Sequence, residues 1–160
     1  MPDSNHLDKK RRQDRYKICP CASGMLYGRC CAPYHDGLAA PSPLVLMRSR
    51  FSAYALGLCS YIVNTTHRQS PLREANLEAW INSIGRFCAA TKFDGLKILQ
   101  EGSDADDSAS AFVTFRAYLR QNEGDASFTE RSRFLHDGDR WYYFSGDCLD
   151  SIGVDSIGKV

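Results

Sequence analysis

The chain has 160 residues, 43% of them hydrophobic and 24% charged, which is enough for one domain with a real core. Twenty basic and nineteen acidic side chains leave a net charge near +1, which excludes a global electrostatic pull towards nucleic acid or an anionic membrane. No apolar run approaches the roughly 20 residues that span a bilayer, and residues 1–17 have no apolar segment. Neither a membrane anchor nor a signal peptide is therefore expected, and a reducing cytoplasm is the compartment implied.

Residues 1–15 mix Asp3, Asp8 and Asp14 with Lys9, Lys10, Arg11 and Arg12. The segment is too polar to bury itself, so a polar tail or a short exposed helix is expected. Lys9 to Arg12 reads as a solvated face diluted by the nearby aspartates.

Residues 16–37 hold Cys19, Cys21, Cys30 and Cys31, four of the seven cysteines, with His35 just beyond. Thiols this dense in a reducing compartment point to a metal before disulfides. Zinc takes four soft or borderline ligands in a tetrahedron. Cys-x-Cys supplies two sulfurs on one turn, and the loop Ala22 to Arg29 returns the chain so that Cys30 and Cys31 can complete the site. The fourth place is contested between Cys31 and His35, because adjacent cysteines often point to different sides; Cys31 is favoured. Four protein ligands leave no room for an activated water, so one structural zinc is expected. Cys59, Cys88 and Cys148 read as free thiols buried like small apolar residues.

Ser42-Pro43 is a helix start, and Leu44, Met47, Phe51, Tyr54 and Leu58 form one apolar stripe, with Arg48 and Arg50 off it and Gly57 at the end. A short helix is expected from a Ser60 cap to about Thr66. Ser70-Pro71 repeats the start signal ahead of a stripe of Leu77, Trp80, Ile81, Ile84, Phe87 and Cys88. The period then changes. Phe93 to Glu101 fits a strand, although Leu99 is out of phase with Leu96 and Ile98, and residues 102–108 are a loop. Ser110 to Gln121 alternates Ala111, Val113, Phe115, Ala117 and Leu119 against Phe112, Thr114, Arg116, Tyr118 and Arg120. After a turn at Asn122-Glu-Gly-Asp, Ser127 to His136 alternates again. Asp137-Gly-Asp makes a hairpin into Arg140 to Phe144. Helices followed by an antiparallel meander give an α+β domain, its helices on one face of a curved sheet.

Cys19-Pro-Cys-Ala-Ser-Gly…Tyr27…Cys30-Cys31 resembles the SEC-C zinc knuckle of the preprotein translocase ATPase. The likeness continues through Pro33-Tyr-His-Asp-Gly37, Leu46-Met-Arg-Ser-Arg-Phe-Ser-Ala-Tyr54, Glu130-Arg-Ser-Arg-Phe134 and Trp141-Tyr-Tyr143. Together these resemble the bacterial YchJ family over roughly residues 16 to 146. The resemblance implies a SEC-C knuckle (16–37) ahead of a cystatin-like, nuclear-transport-factor-2-like cone of helices on a curved antiparallel sheet (38–146), with polar tails at 1–15 and 147–160. Two departures stand out. Ala22 replaces the family's usual glycine, and Cys148 is alone where many members end in a second knuckle.

In the translocase the knuckle docks a chaperone, which implies a non-enzymatic module here, meeting another protein or the ribosome. The alternative is a small-molecule binder or enzyme using the cone, with Arg48, Arg50, Tyr54, His67, Trp80, Glu130, Arg131, Arg133 and Tyr143 as candidate liners. Against catalysis, Glu130 has no evident acid partner, and Arg48 and Arg50 fit ion pairs to it. Direct nucleic-acid binding by the knuckle is a weaker third reading, because basic and aromatic residues there are limited to Tyr27, Arg29 and Tyr34.

Overall fold

The computed structural model describes residues 4–150. Ser4–Asp14 forms a helix (α1), Ala32–His35 a single turn (α2), and Pro43–Leu56, Cys59–Asn64 and Leu77–Ala90 the helices α3, α4 and α5. Five strands follow: β1 (Thr91–Ser103), β2 (Ser110–Gln121), β3 (Gly124–Asp125), β4 (Phe128–Asp137) and β5 (Arg140–Cys148). The sheet is antiparallel in the order β1-β2-β4-β5, with the two-residue β3 pairing β2.

α3 begins where its cap predicts. Ser42 Oγ accepts from the Val45 amide at 3.2 Å, Pro43 stands at the first position, and Gly57 closes the helix in the left-handed region at φ +71°. The expected single stripe is corrected, however. Leu46, Met47, Ser49, Arg50, Phe51, Ser52, Ala53 and Tyr54 are all buried, because α3 lies between the sheet on one side and the cysteine segment on the other. A helix covered on two sides carries no one-sided apolar pattern.

Two further helix starts differ from expectation. α4 begins at Cys59 and has no side-chain cap, so Ser60 lies inside it. Ser70-Pro71 opens no helix: Ser70 Oγ bonds the Phe144 carbonyl at 2.5 Å, tying its loop to β5. The cap of α5 is Asn76, whose Oδ1 accepts from the Ala79 amide at 3.0 Å. The same loop is stitched to β5 by a parallel bridge of Thr66 with Tyr143. His67 is buried there and bonds Asp137 at 3.0 Å.

The two alternating strands behave as read. Ala111, Val113, Phe115, Ala117 and Leu119 of β2 face the core, as do Phe128, Glu130, Ser132 and Phe134 of β4. Burying an aromatic side chain of this kind contributes about 1.5–3 kcal/mol. β1 has register shifts between Phe93 and Gly95 and between Ile98 and Gln100. The second leaves Leu99 outside the pairing and 49% exposed, which accounts for its odd phase in the sequence. A third shift, between Arg133 and Phe134, interrupts the β4–β5 pairing. Such bulges bend strands locally and increase their twist.

Candidate metal centre

Residues 17–31 double back on themselves. The Cys19 amide bonds the Met25 carbonyl at 2.8 Å, Tyr27 bonds Lys17 at 2.8 Å, and Ile18 pairs with Leu26 in an antiparallel bridge. This closes the loop between the two cysteine pairs and brings all four sulfurs of Cys19, Cys21, Cys30 and Cys31 within 4.8 Å of one another. The Cys21–Cys30 and Cys30–Cys31 separations are 3.5 and 3.9 Å. Sulfurs at about 2.3 Å from a central zinc in a tetrahedron stand about 3.8 Å apart, so the donor set has the size of a four-thiolate site. Cys19, Cys21 and Cys31 are buried and Cys30 half-buried.

The electrostatics of the four thiols are those of a site that could hold a cation. Hydrogen bonds from Cys19 and Cys31 draw the Cys21 thiol far below its usual range. The hydrogen bonds with Cys19 and Cys21 push Cys31 far up, and burial raises Cys30 to about 11. Four thiols this close cannot all ionise side by side unless a positive ion sits among them.

His35 is turned away. Its Nε2 donates to the Ser49 carbonyl of α3 at 2.7 Å, and its Nδ1 accepts from the Tyr27 hydroxyl at 2.6 Å. Burial lowers the His35 pKa, and burial raises that of Tyr27 to about 12, so a neutral imidazole meets a protonated phenol. The ring also packs edge-on against Tyr61, at 4.6 Å between centroids. His35 joins the cysteine segment to α3, and the sulfurs are brought together without it.

Two serines and an arginine complete the surround. Ser52 Oγ of α3 donates to Cys31 Sγ at 3.4 Å and stands 3.3 Å from Cys19 Sγ. Ser23 Oγ is 3.1 Å from Cys30 Sγ, and Arg48 Nη1 donates to the Cys21 carbonyl at 2.8 Å. Sequence reading missed Ser52, since nothing in a chain separation of 33 residues marks a serine inside a helix as a neighbour of sulfur. Outer-shell donors to metal ligands are typically worth 10- to 100-fold in affinity. Ser52→Ala is accordingly expected to weaken metal binding by about tenfold or more in competition with a chromophoric chelator. An affinity within twofold of the parent would refute that role.

Ala22 has φ +61°, in the left-handed region where the family's usual residue is glycine. An L-residue there costs roughly 1–2 kcal/mol, offset in part by the 0.5–1 kcal/mol that glycine's greater unfolded freedom costs. Ala22→Gly is expected to tighten metal binding up to about fivefold, equivalent to about 1 kcal/mol. Weaker binding in the same competition would contradict it.

The residues grouped as cone liners divide. Arg50, Tyr54, Glu130 and Tyr143 meet in the interior. The Arg50 guanidinium lies 4.4 Å from the Tyr143 ring centroid, and its Nη1 donates to Ile62 O, Thr65 Oγ1 and Thr66 Oγ1 at 3.0, 2.8 and 3.2 Å. Glu130 Oε1 accepts from Ser132 Oγ at 2.7 Å and Tyr143 OH at 3.1 Å. Burial, with the Glu130 charge nearby, holds Tyr143 well above the usual phenol range. Arg48 faces the cysteine segment instead, and the alternation of β4 puts Arg131 and Arg133 on the opposite face of the sheet. Trp80 is buried in α5 with Arg73 over its ring. Cys59 and Cys88 are half-buried and Cys148 is exposed, so none is the buried apolar residue expected.

No helix among the described residues is long and apolar enough to cross a membrane. Residues 42–146 match the family described as YchJ, middle NTF2-like domain. A UPF0225 protein of Serratia proteamaculans is 38% identical over 133 residues, covering 81% of this chain and 82% of its own length. Another, from Sodalis glossinidius, is 40% identical over 131 residues, covering 80% and 81%. The solution structure of a SEC-C motif containing protein from Rhodopseudomonas palustris has 31% identity and a TM-score of 0.71, over 84% of this chain and all of that one. The crystal structure of a SEC-C motif containing protein from Psychrobacter arcticus has 27% identity and a TM-score of 0.70, over 88% of each chain. With its cysteine cluster lying ahead of an NTF2-like domain, the chain belongs to the YchJ family.

Proposed function

We propose that the protein is a non-enzymatic interaction module, in which one structural zinc held by Cys19, Cys21, Cys30 and Cys31 keeps a protein-docking surface in shape. The observation that carries this reading is the surface around the sulfurs. Tyr16, Ile18, Met25 and Leu26 are 81%, 62%, 50% and 40% exposed, the first just ahead of and the others on a fifteen-residue loop whose own interior is chiefly sulfur. Lys17 and Arg29 border it. Apolar centre and basic rim suit a protein partner with an acidic margin, a ribosomal protein among the possibilities, and the charges act mainly on the rate of encounter.

Elemental analysis of reduced protein is expected to give one zinc per chain, lost in Cys30→Ser. Quantitative crosslinking in cytoplasmic extract is expected to yield a partner that disappears with Cys30→Ser and equally with the metal-loaded double variant Ile18→Asp, Met25→Asp. Retention of that partner by both variants would sink the proposal. The second reading, a ligand in the cone, draws on the buried Glu130 carboxylate. Its neighbours Ser132 and Tyr143 already direct their hydroxyls at it, and Arg50 is engaged with α4, so the donors that would greet a ligand serve the fold.

A further inference from the structure

We propose that the face of the sheet turned away from the helices is a binding platform for single-stranded nucleic acid. Strand register places Lys92 opposite Arg120, Lys97 opposite Arg116, Thr114 opposite Arg131 and Phe112 opposite Arg133, all on this outer face. Six cations thus share one side of three adjoining strands, although like charges directly across a pair are destabilising. Two of them have acidic partners: Arg120 is held by Asp94 at 2.6 and 2.8 Å, and Arg116 reaches Asp150 at 3.5 Å. Lys92, Lys97, Arg131 and Arg133 have no ion pair among the described residues; Asp125 lies opposite Arg120, Asp147 opposite Arg131 and Asp104 beside the cavity, so with Asp94 and Asp150 five carboxylates meet the six cations and the face is only slightly positive.

The arginines lie beside aromatic rings, Arg131 most closely. Arg131 lies 3.8 Å from the centroid of Phe112, and an added Cβ on Gly102 would stand 2.6 Å from the same ring, so Phe112 lies across that glycine. Arg133 donates through Nε to Ser110 Oγ at 3.0 Å and lies 5.6 Å from the Phe144 ring, and Arg116 stands 5.7 Å from the ring of the exposed Tyr118. The Arg131 side chain makes no hydrogen bond to any described residue, and Arg133 keeps both terminal nitrogens unused, beside a half-open cavity of about 580 Å³ also lined by Ser103, Ser110 and Ser145.

A guanidinium fixed over an aromatic ring presents a second flat surface on which a base can stack, and an adjacent guanidinium with free N–H groups takes a phosphate. Arg131 and Arg133 alternate on one strand, which sets them about 6.6 Å apart. Phe112 and Tyr118 mark the ends of a track about 20 Å long on β2. That length exceeds one nucleotide and favours a strand. Duplexes hide the base faces that this arrangement offers, so an unpaired strand is the occupant.

The test is fluorescence anisotropy of a labelled uridine 12-mer with the full chain at graded potassium chloride. Binding that weakens steeply with salt is expected, about tenfold weaker in Arg131→Gln, Arg133→Gln, with the slope of log affinity against log salt reduced by about one. Both side chains are exposed, and an unchanged Tm verifies folding of the variant. Phe112→Leu, which keeps every charge, is expected to weaken binding at least threefold. A matched duplex, uridine monophosphate and polyglutamate are each expected to compete poorly. No binding at low salt, equal binding by the arginine double variant, or equal competition by polyglutamate would overturn the assignment. So would loss of binding on neutralising Lys9 to Arg12 with the sheet intact.

Discussion

Stripping the metal with a chelator, or replacing Cys31 by serine, is expected to unfold residues 17–31 while the sheet stays folded. The apolar cluster beneath this segment consists of Cys19, Cys21, Cys31, Tyr27 and Ala32, with only Cys30 and Leu56 packed against it. Without a metal the sulfurs lose their reason to converge, and two or three remaining apolar contacts do not repay the ordering of fifteen residues at about 1–2 kcal/mol each. Structural zinc in peptides of this size is worth roughly 10–16 kcal/mol near neutral pH, which makes this the largest effect expected in the molecule. Hydrogen exchange measures it. The amides of Cys19, Tyr27 and Cys30, bonded at 2.8 to 3.0 Å in the closed loop, should exchange freely without metal, while those of β2 and β4 stay protected. Equal protection of the loop in both states would refute the metal's structural role.

Arg50→Met is expected to lower stability by about 3–5 kcal/mol, the range for removing one member of a buried charged set. Arg50 is 1% exposed and Glu130 2%, and Tyr143 stands between them, its ring under the guanidinium and its hydroxyl on the carboxylate. Taking away the cation leaves Glu130 to bear its charge in a low-dielectric interior and leaves the Ile62 carbonyl at the end of α4 without this donor. Arg50→Lys is expected to rescue little, since a compact ammonium does not reproduce the guanidinium's contact with the Tyr143 ring. Urea denaturation of Arg50→Met, Glu130→Gln and the double variant tests the coupling. The double variant should fall short of the sum of the singles by at least about 1 kcal/mol. Additive losses, or a loss under 1 kcal/mol in Arg50→Met, would show that the two charges do not depend on each other.

What the sequence revealed and what it hid follow one physical rule. Local signals were legible: the Ser42-Pro43 start and Gly57 stop of α3, the period-two strands from Ser110 and Ser127, and the turn at Gly138 are each decided by neighbouring residues. The four cysteines were legible because their spacing already limits the loop between them. Features that depend on partners far along the chain were hidden. Arg50 reads as a cone liner or an ion-pair partner of Glu130, but its bonds to the end of α4 and its place over the Tyr143 ring have no local signal, and nothing local marks Ser52 as a neighbour of Cys19 and Cys31. Ser70-Pro71 carried a sound helix-start signal that lost to a tertiary bond with Phe144, while Asn76 did the capping. Leu99 breaks the alternation of β1 in the sequence, and only the register shift between Ile98 and Gln100 explains why.

One helix touches both halves of the molecule. Ser49 and Ser52 of α3 meet His35 and the cysteine sulfurs, while Phe51 and Tyr54 on the same turns enter the domain core. Metal occupancy and domain stability therefore share a backbone, and free energy gained at the sulfurs is also gained by the helix that the sheet rests on. Once free metal exceeds its dissociation constant, each tenfold increase adds about 1.4 kcal/mol to the folded state. The half-life of the protein against proteases is therefore expected to lengthen as the metal that fills the site is supplied, and to shorten when a chelator removes it.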